Sequence, residues 1–237
     1  MRSFIVIAMF TASLASAAWN DYEEQRDLNL SASGIDTVDI DAGSGSLEIT
    51  GVSGADEIAV TATILVPDRD DDKARRIIES DLVLTLEKQG DTAVLKAYFN
   101  QASWHFGESP SVQLVVRMPD SLNLSVDDGS GSMSVADISG AIDVKDGSGS
   151  ITMTNVGGEV QIIDGSGSIS VAGVGGDISI DDGSGSIRIR EVAGSVVIDD
   201  GSGSIDVSDV EQDLIIVNDG SGGLDFSDIK GRVQEES

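Results

Sequence analysis

The chain has 237 residues, no cysteine, and 42 acidic against 14 basic side chains, for a net charge of −28. The missing cysteines exclude disulfides and thiolate metal sites. So acidic a surface repels nucleic-acid phosphates and anionic lipid headgroups, which removes both as partners. It favours solubility and cations, and it is also what a salty habitat selects. Aromatic content is low, and the apolar residues are mostly Val and Ile, which suits strands rather than a helical bundle.

In chain order, residues 1–17 read as a signal peptide. Arg2 is the positive start, Phe4 to Phe10 (FIVIAMF) is the apolar stretch, and Ala15-Ser16-Ala17 is the small-x-small cleavage pattern. The apolar run is too short for a spanning helix and soon meets Asn20, Asp21, Glu23 and Glu24. An uncleaved anchor is the alternative. Cleavage removes Arg2 and takes the net charge from −28 to −29. No cysteine follows to carry a lipid. The expectation is export to the periplasm or cell surface, with no membrane span after cleavage.

Residues 18–34 form an N-terminal extension, and 35–64 read as a first solenoid coil. Its start is Gly43-Ser44-Gly45-Ser46-Leu47-x-Ile49, with Val52 at a corner and Ile58 and Val60 on the return strand. Residues 65–120 interrupt the pattern. Asp68 to Ser80 (DRDDDKARRIIES) reads as a short helix with an acidic first turn and bases later. Leu82 to Leu86 and Ala93 to Phe99 read as a hairpin turned at Gln89-Gly90-Asp91, and Val112 to Val116 as a lead-in strand.

From 121 to 237 the chain repeats. DGSGS or a close variant begins at Asp128, Asp146, Asp164, Asp182, Asp200 and Asp219, in steps of 18 and finally 19 residues. Counted from each Asp, aliphatic residues recur at +5, +7, +10, +14 and +16, as in Ile169, Val171, Val174, Ile178 and Ile180. Pairs two apart place both side chains on one face of a strand. Each coil therefore supplies two short strands and a corner, and coils stack about 4.8 Å apart. No coil is stable alone, so neighbours must supply the core. A left-handed hexapeptide helix needs an aliphatic at +4, where Ser150, Ser168 and Ser186 stand. A calcium-binding nonapeptide roll wants Asp two residues before its aliphatic, where Gly149 and Gly167 stand. The expected fold is all-β: a right-handed parallel β-solenoid of 18-residue coils with a small helix and hairpin insertion.

The GSGSLEITG coil, the charged helical insertion, the VQLVVRMPDSLNLSV lead-in and the DGSGSI coils together resemble the bacterial putative-adhesin family of β-solenoid domains of unknown function. The resemblance covers residues 35 to 233. It implies a rod outside the cytoplasm and carries no catalytic motif. The chain departs in placing Asp before each Gly where Thr or another small polar residue is common.

Candidate chemistry is sparse. The Asp column is the most pointed feature, because unit charges about 4.8 Å apart repel by about 0.9 kcal/mol per pair even in water. Either each carboxylate accepts amide hydrogen bonds from its own turn, or the column collects cations, since oxygen ligands suit calcium. The Ser columns (Ser148, Ser166, Ser184, Ser202) have no histidine beside them. The single histidine, His105, lies with Trp104 and Phe106 in the insertion, as packing over a solenoid end or as a contact tip. The GSGS turns lack the lysine and helix of a phosphate loop. A β-helix lyase would need a base beside clustered acids, and Arg188 and Arg190 are the candidates for it in the array. No catalytic, cofactor or metal residue is assigned. Outward-facing Ile163, Val197, Ile215 and Val217 call for either a cover or a partner. Lys230, Arg232, Glu235 and Glu236 charge the C-terminal edge, which suits a monomer. The reading is a non-enzymatic, adhesin-like module that contacts an envelope protein or surface glycan, with a calcium-binding solenoid as the alternative.

Overall fold

The computed structural model describes residues 22–68, 70–100 and 109–236. The expected signal peptide, residues 1–17, and the Trp104-His105-Phe106 cluster lie outside these residues. Elements in chain order are β1 (Tyr22–Ser31), β2 (Thr37–Ser44), β3 (Leu47–Val52), β4 (Glu57–Val66), α1 (Asp71–Asp81), β5 (Leu82–Gln89), β6 (Thr92–Phe99), β7 (Ser111–Pro119) and β8 (Asn123–Ile138). In the array, short strands β9 (Ile142–Asp146), β11 (Val160–Asp164), β13 (Ile178–Asp182), β15 (Val196–Asp200), β17 (Leu214–Asn218) and β19 (Val233–Glu235) alternate with longer ones. The longer strands are β10 (Gly149–Val156), β12 (Gly167–Val174), β14 (Gly185–Val192), β16 (Gly203–Val210) and β18 (Gly223–Ile229).

The fold is an all-β parallel solenoid. Each longer strand pairs in parallel with its counterpart one coil on, so Ile151 meets Ile169, Ile169 meets Ile187 and Ile187 meets Ile205. The short strands do the same on the opposite face, with Ile162 against Ile180 and Ile180 against Ile198. Long β8 bends through a corner and belongs to both faces. All five aliphatic columns point inward: Ile169, Val171, Val174, Ile178 and Ile180 are each at most 2 % exposed. Each such side chain contributes about 1.5–3 kcal/mol of transfer free energy. The stack of coils therefore builds the core that one coil lacks.

The first coil consists of β2 and β3. It stacks directly on β8, pairing Val38 with Leu124 and Leu47 with Met133, although the insertion separates them in sequence. The insertion closes this end of the rod. One face continues through β3, β7, β4 and β1, and the other through β2, β6 and β5. Here the expected reading fails in one place. Ile58 and Val60 were assigned to the return strand of the first coil, but the chain reverses at Val52 to Ala55. There Gly54 takes φ +72° and the Ala55 N–H donates to the Val52 carbonyl at 3.2 Å. β4 then runs antiparallel to β7 and to β1. Alternation told which side of β4 faces the core, not which strand it would pair with.

The hairpin β5–β6 turns at Gly90, as expected. The helix begins three residues later than its expected start. Asp70 caps it, accepting from the N–H groups of Asp72 at 3.0 Å and Lys73 at 3.2 Å. Its bases sit mid-helix rather than in the last turn, and Ala74 and Ile78 are buried against β4 and β5. The helix therefore covers the capped end and not the apolar residues on the outer face of the array. Among the described residues, no helix is long and apolar enough to cross a membrane.

Removing one rung of a column should destabilise the stack as a core cavity does. Ile187→Ala should cost about 2–5 kcal/mol in urea unfolding. Exposed Arg188→Ala should stay within about 0.5 kcal/mol.

Candidate functional site

The repeating DGSGS corner carries the most regular polar structure in the molecule. Its Ser residues at +2 and +4 flank a Gly at +3 whose φ lies between +144° and +156° from Gly131 to Gly203. That conformation favours glycine. The stacking also requires it, since a Cβ on Gly167 would collide with the carbonyl oxygen of Gly149, and one on Gly185 with that of Gly167. Corners are laddered as tightly as strands. The Gly149 N–H donates to the Ser166 carbonyl at 2.9 Å, and the Gly167 N–H to the Ser184 carbonyl at 2.9 Å. Along this corner runs a shallow groove of about 750 Å³, floored by the Gly column and walled by Ser130, Ser148, Ser150, Ser166, Ser168, Ser184 and Ser186. At one end it meets a second recess of about 520 Å³ lined by Gly43, Phe99, Pro110 and the shared Ser130.

Behind the groove stand the aspartates. Asp128, Asp146, Asp164, Asp182 and Asp200 point into the solenoid and are between 0 % and 5 % exposed. The Asx turn is formed: the Ser148 N–H donates to Asp146 Oδ1 at 3.2 Å, Ser166 to Asp164 at 3.2 Å, Ser184 to Asp182 at 3.1 Å and Ser202 to Asp200 at 3.0 Å. Each Oδ2, by contrast, is buried without a hydrogen-bond partner. Burial, opposed by the turn amides, raises all five carboxyls above their usual range, Asp182 to about 6. Asp128 rises to about 7, pushed first by burial and then by Asp146.

The inward aim was missed at the sequence level, though the signal was present. In Val160-x-Ile162-x-Asp164 the Asp shares the parity of the two aliphatics, so a strand that buries them buries it too. The last member of the column, Asp219, is exposed rather than buried. The 19-residue step shifts the register after Ile198, and Asn218 rather than Asp219 caps the final turn, accepting from the Gly220 N–H at 3.1 Å. At the other end of the column Ala42 pairs with Asp128. The buried ladder thus contains five carboxyls, and Asn218 beyond it is exposed and pairs with Asp199. The carboxyls face the core, and four of them are held by the amide hydrogen bond of their own turn.

Arg188 and Arg190 stand exposed on β14, with Arg188 3.3 Å from Asp206 in the next coil. Ile163 is 41 % exposed, while Val197, Ile215 and Val217 are half-buried. At the C-terminal edge Lys230 pairs with Glu211 at 2.6 Å and Arg232 with Asp213 at 2.9 Å, tying the last coil to the one before.

No protein-family model and no curated protein matches the chain. Among solved structures it is similar to a putative cell adhesion protein from Clostridium sporogenes, at 10% identity and TM-score 0.44, over 90% of this chain and 99% of that one. It is similar to a putative adhesin from Parabacteroides distasonis at 15% identity and TM-score 0.41, over 90% and 97% of the two chains. A putative lipid binding protein from the same organism matches at 16% identity and TM-score 0.40, over 91% and 97%.

The Gly column gives a direct test of corner packing. Gly167→Ala should lower the melting temperature by about 10 °C or more, through strain and collision with Gly149. Gly90→Ala has the same unfavourable sign of φ but open space around it, and should cost only about 1–2 kcal/mol.

Proposed function

We propose that the chain is an exported, non-enzymatic, adhesin-like module, monomeric in solution, that binds a neutral surface glycan along its Ser–Gly–Ser groove. The observation that carries this reading is the groove itself. Paired hydroxyl columns repeat at every coil on a rigid backbone, on a protein whose remaining surface is dominated by carboxylates. Hydroxyls donate and accept equally, so a polyhydroxylated chain can exchange hydrogen bonds with successive rungs. Rigidity limits the ordering cost to the ligand. The net charge of −28 disfavours uronic or sulfated polymers by repulsion. A signal sequence that routes the chain to the periplasm or surface would bring it to such polymers, and the family resemblance of the lead-in and coils points the same way.

The reading is tested by affinity co-sedimentation of the purified protein with neutral and with anionic cell-surface polysaccharides. Binding to a neutral polymer is expected, and Ser150→Ala, Ser168→Ala and Ser186→Ala combined should weaken it about tenfold, the equivalent of about 1.4 kcal/mol. Melting should be little changed, since these side chains are exposed. Binding that ignores the triple variant, or that favours anionic polymers, would contradict the proposal.

A further inference from the structure

The most unusual feature outside the groove is the carboxyl column behind it. Five side chains that prefer charge and water are held in the core of the solenoid, one per coil, and each leaves an oxygen without a partner. An ionised carboxylate there faces two penalties, lost hydration and the charge of the next rung. No base offsets either. The residues just before the aspartates, Asp127, Lys145, Ile163, Asp181 and Asp199, face outward, and Asp219 is exposed beyond the last rung. The strand that follows each turn brings only aliphatic side chains and methionine to the interior, namely Met133, Ile151, Ile169, Ile187 and Ile205. The turns themselves contribute neutral glycine and serine.

We propose that the Asp128–Asp200 column is a proton-loaded ladder that makes the solenoid, and the groove in front of it, tighter in acid and looser as the pH rises through neutrality. A protonated Asp keeps the acceptor that its turn requires, since Oδ1 still receives the Ser N–H. Its second oxygen meanwhile becomes a neutral hydroxyl. Ionisation puts like charges on successive rungs directly under the corners that hold the Ser columns in register. A neutral side chain can make the turn contact: exposed Asn218 accepts through Oδ1 from the Gly220 N–H two residues on, as the aspartates do from their serines. The raised carboxyls agree in direction. A carboxyl raised in the folded state binds more protons there than in the unfolded chain. Its stabilising effect is therefore complete below the ordinary Asp value of 3.8 and is lost as pH rises through the folded values of about 6 and about 7. The inference does not depend on which ligand the groove takes.

The experiment is a melting series from pH 5 to pH 8 on the whole protein carrying His105→Gln, which removes the chain's one histidine. The melting temperature should fall by about 10 °C or more across the range. With Asn at 128, 146, 164, 182 and 200 the slope should shrink to a third or less. Asp127→Asn, Asp181→Asn and Asp199→Asn together, on the outer side of the same strands, should leave most of it. Should the five-fold variant not fold, calorimetry at pH 6 in buffers of different ionisation enthalpy counts protons directly. Unfolding should release about two or more. A flat or rising melting curve, proton uptake on unfolding, or an equal slope in the Asn variant would overturn the proposal. So would a melting temperature at pH 8 that millimolar calcium raises in the parent but not in the Asn variant, because that would place a cation rather than protons on the column.

Discussion

The structure depends on one constraint: every coil must present the same side chains at the same height to the coil before it. Backbone ladders about 4.8 Å apart leave no slack for a rung of different length. The aliphatic columns reward that register, and the glycines at +3 enforce it, because the carbonyl of the preceding corner occupies the space a Cβ would need. Packing and backbone geometry therefore select the same repeat. A slip of one residue would turn each aliphatic pair outward and break the Gly column at once.

That register also explains how five carboxyls come to stand in a hydrophobic interior. Once +14 and +16 face inward, the strand's own alternation delivers the next Asp to the same side. The residue has a place there because its turn uses an acceptor at that point: Oδ1 takes the N–H of the Ser two residues on. The cost falls on Oδ2. Burial raises each carboxyl, and at Asp128, Asp146 and Asp182 a neighbouring rung adds to it, so a structural cap acquires an acid–base property.

Much of this could be read from the repeat. Recurrence of Ile169, Ile187 and Ile205 every 18 residues was enough to specify parallel stacking, and the acidic first turn and the Gly90 turn marked the helix and hairpin. Besides the inward aim of the aspartates, three things were not read. The extension from Tyr22 to Ser31 carries no strong alternation, and it forms a strand because β4 offers a free edge to pair with. β4 has the alternation of a solenoid strand and yet reverses, since a period of two specifies a face and leaves the pairing partner open. The groove was invisible for another reason. Single Ser and Gly residues are the ordinary content of turns, and only stacking converts them into continuous columns with hydroxyl walls.

Coil-by-coil register can be tested by deletion. Removing the 18 residues from Gly165 to Asp182 joins Asp164 to Gly183 and leaves every column in phase. The account predicts a shortened rod with an unchanged strand signature in circular dichroism and a single cooperative melt within about 10 °C of the parent. Removing only nine residues, Gly165 to Gly173, should abolish the cooperative melt. Equal tolerance of both deletions, or loss of folding in the 18-residue deletion alone, would contradict a core built from identical stacked coils.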